Sequence, residues 1–393
     1  MRPGPWLRLT AFGGAAGTLV AVVSGTASLG TGHQVLAALA LPPLAAVVVL
    51  AWTSYRNLLV PSLTALVLFG LAAAVTAPGI HLALAALAFA ASCVSAALAF
   101  RGRRVPIGSA RDYLTLTKPR IMSLLLLTGL CGMIVGAGGW PPLWLVATTM
   151  FGLALACGGA SALNHVLDAD IDRLMGKRTR SRPVAAGRIP ASYALEFGLA
   201  LSALSFVLLA GAVNVLTALL ALSGMLFYVL VYTKLLKRST PQNIVIGGAA
   251  GAIPPLVGWA AATGSLTLPA LVLFLVVFLW TPPHFWALAL LIKRDYANAG
   301  VPMLPVVRGE RETVKEILLY TAALVAFTLA PALWGQFGLV YLVAAAALGA
   351  GFLGLAWNLR RERTPARAAL LFHYSLAYLA ALFVAMALDT VLA

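Results

Sequence analysis

The stretch Ala162-Leu-Asn164-His-Val-Leu-Asp168-Ala-Asp170-Ile-Asp172-Arg-Leu-Met-Gly-Lys177-Arg178-Thr-Arg180-Ser-Arg182-Pro183 runs from apolar residues into a cluster of acids and then a cluster of bases. The run before it, 142–163, carries no charge and is about the length that crosses a hydrocarbon core as a helix. Residues four apart on a helix are offset by about 40°. Asn164, Asp168 and Asp172 therefore share one stripe, while Asp170 points away. Ionisable groups at membrane depth are costly and mark sites. Two carboxylates and an amide oxygen suit a hard cation such as Mg2+, which takes oxygen ligands and completes its shell with water and phosphate. The bases that follow, Lys177, Arg178 and Arg182 among them, match phosphate oxygens. Acids followed by bases is the order a metal-bound diphosphate needs. The plainer alternatives are a solvated helix end paired with those bases, and bases that only anchor the loop.

Outward from this stretch the chain keeps the same character. It is 62% apolar and 10% charged, with mean hydropathy +0.97. That leaves too little polar surface for a water-soluble protein of 393 residues. Apolar blocks lie near 9–29, 34–52, 58–77 and 80–100, then near 121–139, 142–163, 191–211, 213–232, 242–262, 270–292, 316–335, 337–357 and 370–391. Backbone in hydrocarbon must satisfy its own hydrogen bonds, so these blocks predict an all-α polytopic membrane protein of about thirteen spans. The basic linker Arg101 to Arg111 divides a four-span unit, 1–104, from a nine-span unit, 105–393.

The net charge of +16 reflects 27 Lys and Arg against 11 Asp and Glu. With the N-terminus in the cytoplasm and sides alternating at each span, all 27 fall on the cytoplasmic side. The opposite loops, such as Gly136–Trp140 and Thr263–Thr267, then hold none. This is the positive-inside pattern. It places the polar loops 164–190 and 293–315 inside, and it makes the basic balance a topology signal rather than a nucleic-acid footprint. Cys93, Cys131 and Cys157 sit in apolar blocks without ligand spacing and read as small core residues. The first block lacks a small-residue cleavage site and is expected to be retained.

Several further stretches extend the pattern: Tyr232–Arg238, Thr240–Asn243, Gly247–Pro255, Thr281–Trp286 and Ala299–Val307. With Asn164–Asp172 and Arg178–Pro183, they make residues 110–393 resemble the UbiA-type intramembrane prenyltransferases. Thr281–Trp286 and Ala299–Val307 are similar to the branch that farnesylates haem. The resemblance implies a nine-helix bundle in the plasma (inner) membrane of a prokaryote, with its active site facing the cytoplasm. It also implies Mg2+, farnesyl diphosphate as donor and haem b as acceptor. Asp168, Asp172 and Asn164 would hold the metal, and Lys177, Arg178, Arg182, Lys237 and Lys293 the diphosphate. The family's second acidic motif is reduced here to Asp295. Either Asp295 alone holds a second ion, or Lys293 and Arg294 neutralise the diphosphate directly. His284 lies about 13 Å up its span from Lys293, after a Thr281-Pro282-Pro283 run expected to interrupt helical hydrogen bonding. It is expected to touch the iron, a propionate or the reacting vinyl group of haem, or else to bond a freed carbonyl.

The first four spans resemble one half of haem A synthase, through Ser24-Gly-Thr26, His33 with Leu36–Leu39, and His81 with Leu82–Leu84. That implies a haem b held between His33 and His81, and haem A synthase as a possible partner protein; the alternative is a packing module. Two other functions stay open. A quinone or aromatic-acid prenyltransferase would want a small aromatic pocket. A transporter or haem-binding carrier would favour broken midplane helices and internal repeats, rather than acids gathered at one face.

Overall fold

The computed structural model describes residues 5–26, 31–54, 58–74, 78–101, 108–333 and 335–392. Among them the regular structure is entirely helical. The first four helices are α1 (Pro5–Thr26), α2 (Thr31–Ser54), α3 (Leu59–Ala74) and α4 (Pro78–Arg101). Each packs on its neighbour in sequence, and α1 also packs on α4. Their interior is made of small side chains: Ala11, Ala40, Ala51, Ala65, Ala88 and Ala99 are buried, and Gly17 lies against Ala40. Small residues let helices approach closely where lipid offers no hydrophobic drive for association. Thr18 Oγ1 meets Ser92 Oγ at 2.8 Å, and Ser62 Oγ meets Ser95 Oγ at 3.2 Å.

Most of the basic linker lies outside the described residues. The chain resumes with α5 (Ala110–Thr117), capped by Ser109 and Asp112 in a reciprocal capping box. Lys118 then adopts a left-handed backbone (φ 51°) and Pro119 opens α6. The remaining elements are α6 (Pro119–Ala137), α7 (Leu143–Leu167), α8 (Ala169–Leu174), α9 (Lys177–Arg180), α10 (Ala191–Ala212) and α11 (Val215–Leu226). A π-helical segment, Phe227–Leu236, continues α11 into α12 (Lys237–Ser239). After it come α13 (Asn243–Gly251), α14 (Ile253–Thr263), α15 (Leu268–Leu291), α16 (Lys293–Asn298), α17 (Leu304–Val307), α18 (Gly309–Leu333), α19 (Leu339–Arg361) and α20 (Pro365–Leu392).

Nine segments among the described residues are long and apolar enough to cross a membrane. They are α6, α7, α10, Val215–Ser239, Asn243–Thr263, α15, α18, α19 and α20. The protein is a multi-pass membrane protein. The four further crossings expected before residue 104 are not among these nine; that region shows shorter apolar stretches, Leu36–Trp52, Pro61–Ala73 and Leu87–Ala96. Helix α4 packs against α10, which joins the first four helices to the rest.

Prolines act differently at two places. The block near 242–262 is broken at Ala252, where Pro254 and Pro255 remove two backbone donors. The break lets α14 settle onto α6. Gly129, Gly132 and Gly136 of α6 face Pro254, Pro255 and Trp259, and a Cβ at Gly258 would overlap the carbonyl oxygen of Gly129. In α15, by contrast, Pro282 and Pro283 do not interrupt the helix, contrary to the sequence expectation. Neighbours α13, α18 and α20 pack along α15 and hold it, and Thr281 Oγ1 bonds the Val277 carbonyl at 2.8 Å. At the other end of the bundle, Asp389 accepts the backbone N–H groups of Gly338 and Tyr341 and caps α19.

Candidate active site

Helix α7 ends at Leu167, and Asp168 is the joint to α8, so the acidic stripe is not carried on one continuous helix. Backbone bonds from Asp168 N to Asn164 O (2.9 Å) and from Asp172 N to Asp168 O (2.8 Å) carry the four-residue relation across the joint. Asn164, Asp168 and Asp172 are buried, whereas the Asp170 side chain is 64% exposed. Burial thus follows the stripe.

Each acid has a cation. Asp168 Oδ2 accepts Lys237 Nζ at 2.5 Å and Asn164 Nδ2 at 2.7 Å. Asn164 Nδ2 also reaches Thr233 Oγ1 at 3.1 Å, while its Oδ1 accepts Lys118 Nζ at 2.8 Å. Asn164 therefore braces Asp168, and its oxygen meets a cation ligand only once Lys118 releases it. Arg182 forks onto both oxygens of Asp172 at 2.7 and 2.9 Å. Arg238 forks onto Asp170 at 2.7 Å for each oxygen, and it donates to the Leu167 carbonyl that ends α7. Thr233 and Lys237, four residues apart at the end of the π-helical segment and the start of α12, share one face and reach the stripe together. Tyr228 and Tyr232 stack on that segment with centroids 5.6 Å apart, and Tyr232 fills the space a side chain on Gly247 would need.

The charges set the character of the site. Three basic side chains, Lys118, Arg182 and Lys237, bond to Asn164, Asp172 and Asp168 at the end of a membrane helix. Burial and then the Arg182 charge pull Lys118 down to about 7. Burial pushes Asp172 up, against the charge of Arg182. Burial likewise pushes the Tyr296 phenol up to about 12, with Arg182 opposing. Arg238 holds the exposed Asp170 down to about 2.

The second loop reaches the same place. The Asp295 carboxylate lies against Gly176, where a Cβ would strike it, so α16 abuts the start of α9. Lys293 instead pairs with Glu310 of α18 at 3.1 Å, and Lys177 is exposed. The Arg178 side chain lies outside what is described. The loop between α8 and α10 is pegged by buried Met175, Val184 and Ile189. Arg188 straps it to α5 through Asp112 (2.8 Å) and also donates to the Ser181 carbonyl (2.9 Å).

His284 is buried apart from the acids, about 10 Å of helix rise above the end of α15. Its Nδ1 lies 2.6 Å from Ser375 Oγ, which itself donates to the Phe372 carbonyl at 2.7 Å. A hydroxyl has one proton, so Ser375 can donate to only one of these two acceptors at a time. Trp280 and Phe372 sandwich the ring at 4.3 and 4.7 Å. His33 lies in the first turn of α2, but its side chain is outside what is described; His81 Nδ1 bonds the Ala72 carbonyl at 2.7 Å.

Among the described residues no group of three or more His, Cys, Asp or Glu side chains stands ready for a metal. Mg2+ does not require one, since it binds through one or two carboxylates together with substrate phosphates. Asp168 Oδ1 is buried with no partner, the kind of acceptor such an ion takes up. The residues present fit the ion. Sequence reasoning missed Lys118, Thr233, Arg238 and Ser375. Thr233 and Arg238 lie in the Tyr232–Arg238 stretch that carries the resemblance, and Lys118 stands directly before the proline that opens a span; Ser375 carried no signal.

Comparison with known proteins now gives the class. The family model described as the UbiA prenyltransferase family matches residues 125–384, and the chain belongs to that family. Its fold is similar to digeranylgeranylglyceryl phosphate synthase (TM-score 0.61, 20% identity, 72% of this chain and 99% of that one). It is also similar to a UbiA homolog from Archaeoglobus fulgidus bound to DMAPP and Mg2+ (TM-score 0.56, 19% identity, 71% and 99%).

Within the family, its curated relatives include protoheme IX farnesyltransferases. That of Symbiobacterium thermophilum is 57% identical over 281 residues, covering 71% of this chain and 94% of the relative. That of Roseiflexus sp. (strain RS-1) is 54% identical over 281 residues, and there the chain spans about half of the relative, 52%. That of Chloroflexus aurantiacus is 47% identical over 349 residues, 85% of this chain and 59% of the relative, a match too long to be contained in residues 105–393.

Proposed function

We propose that the protein transfers a farnesyl group from farnesyl diphosphate to a vinyl group of haem b, giving haem O. The observation that carries this is the alternation of Lys118, Arg182 and Lys237 with Asn164, Asp168 and Asp172 at one helix end, on a chain whose relatives are named for that reaction.

Asp168 and Asp172, with Asn164 and Asp295 as further oxygen donors, would hold Mg2+. The bound ion supplies Lewis-acid neutralisation of the departing diphosphate. The chain's own cations do the same work directly: Arg182 and Lys237 are placed to turn from carboxylate to phosphate oxygen, with Lys118 behind them and Lys177, Arg178 and Lys293 at the rim. The allylic C–O bond breaks with its electron pair on the diphosphate. The faces of Tyr228 and Tyr232 offer π density to the developing cation, and the apolar helices around it exclude early water. The haem vinyl π pair then forms the new C–C bond, and water captures the cation left beside the porphyrin, releasing one proton. His284, deeper in the bundle with Nδ1 held by Ser375, orients the haem.

The one-sided Lys and Arg distribution supports a cytoplasmic N-terminus and a cytoplasmic site in a prokaryotic plasma membrane. Residues 1–104 form a four-helix unit with its own core, ahead of the prenyltransferase unit 105–393. A haem b between His33 and His81 belongs to that first unit, with haem A synthase as its pathway neighbour. The test of the transfer is Mg2+-dependent release of pyrophosphate from farnesyl diphosphate, measured with and without haem b. Release that depends on haem b in the wild type and is absent in Asp168→Asn supports the reading; release that ignores haem b overturns the acceptor. For the first unit, a low-spin haem band in the purified full chain that His33→Ala or His81→Ala removes is expected. A band that survives both substitutions overturns it.

A further inference from the structure

His165 follows Asn164 directly and takes no part in the network around it. Its side chain is buried, at 2% exposure, and neither ring nitrogen has a hydrogen-bond partner. At the same helix end Lys118, Asn164, Thr233, Asp168 and Lys237 are linked in one hydrogen-bond network. An orphaned buried polar group is costly, and folded proteins rarely keep one without a use. A histidine in the last turn of a helix ordinarily bonds the terminal carbonyls there; His165 does not, and the Leu167 carbonyl is taken by Arg238 instead.

The position on α7 says what the ring can meet. One residue past Asn164 is a rotation of about 100°, so His165 flanks the stripe instead of joining it. The charges that act on its ring are those of Lys118 and Arg182. A ring in the field of two cations does not recruit a third cation. Whatever its own charge, an imidazole carries at least one N–H, and the acceptor that satisfies an N–H in that company is an anion. The site already calls for a diphosphate.

We propose that His165 is a substrate-binding residue whose ring N–H donates to a phosphate oxygen of the prenyl diphosphate. It adds a hydrogen bond from the flank of the stripe to the charges supplied by Arg182 and Lys237. This rests on the diphosphate site set out above, and the experiment separates the two.

The full chain in detergent is titrated calorimetrically with pyrophosphate in excess Mg2+, as wild type, Asp168→Asn, His165→Phe and His165→Gln. The wild type binds and Asp168→Asn loses binding. His165→Phe binds at least ~10-fold more weakly, the scale of a hydrogen bond to a charged group. Its KM for farnesyl diphosphate rises by a similar factor, while its KM for haem b stays the same. His165→Gln, whose amide N–H reaches the Nε2 position, recovers most of the affinity. Should the phenylalanine variant fail to fold, His165→Met carries the same expectation, with folding checked by melting in the same detergent. Wild-type affinity in a folded His165→Phe or His165→Met variant overturns the role of His165 and leaves the diphosphate site standing. A wild type that does not bind Mg2+–pyrophosphate overturns the site itself.

Discussion

Asp168→Asn separates what the buried pair does for the fold from what it does for the reaction. The side chains of Asp168 and Lys237 are 1% and 9% exposed and meet at 2.5 Å. Neutralising the carboxylate strands a buried ammonium, and breaking such a pair from one side costs about 3–5 kcal/mol. Lys237→Met strands the carboxylate instead, at similar cost. The double variant Asp168→Asn/Lys237→Met strands neither charge and should return about 1–3 kcal/mol as coupling between the two positions. Catalysis should not return with it. Asp168 is the proposed metal ligand, and loss of several kcal/mol of charge stabilisation holds farnesyl transfer down by roughly 100-fold or more. The assay is a four-member cycle: thermal melts in one detergent, and transfer rates with farnesyl diphosphate and haem b. Additive melting shifts would refute the pairing, and recovered turnover in the double variant would refute the ligand role.

Four further outcomes follow from single positions. Asp170→Asn removes only the exposed anchor of Arg238 and should leave turnover within a few-fold of wild type, measured beside Asp168→Asn. Gly258→Ala drives a methyl into the Gly129 carbonyl and should destabilise by more than the ~1–3 kcal/mol of ordinary overpacking. Gly354→Ala, with nothing within 4 Å of the added Cβ, should melt at or slightly above the wild-type temperature. Asp112 is held down to about 2 by its hydrogen bond from Arg188, so its contribution is full above the ordinary carboxylate value of 3.8 and is lost as pH falls toward about 2. Wild type and Asp112→Asn should therefore melt apart at neutral pH and converge in strong acid.

The parts of this molecule that follow from spacing were legible in the sequence. Blocks of apolar residues gave the nine long helices of residues 119–392, and a four-residue period placed Asn164, Asp168 and Asp172 inside with Asp170 outside. What depends on partners from distant segments was not. Lys118 meets Asn164 across 46 residues, Thr233 meets it across 69, and His284 meets Ser375 across 91. The π-helical segment was invisible for a related reason: Tyr232 on it packs over Gly247 of another helix, a contact no local pattern announces. Proline pairs misled in α15 and not at Ala252. Neighbours pack along α15 and keep it helical, whereas at Ala252 the break is what lets α14 reach the glycines of α6.

The central claim is that this site joins a farnesyl group to haem. Purified protein, haem b, farnesyl diphosphate and Mg2+ are incubated together, and the pigment is examined by mass. The result expected is a haem heavier by one farnesyl group and one hydroxyl group, formed only with Mg2+ present and absent with Asp168→Asn. A haem of unchanged mass, alongside prenylation of a quinone precursor or aromatic acid by the same preparation, would contradict it.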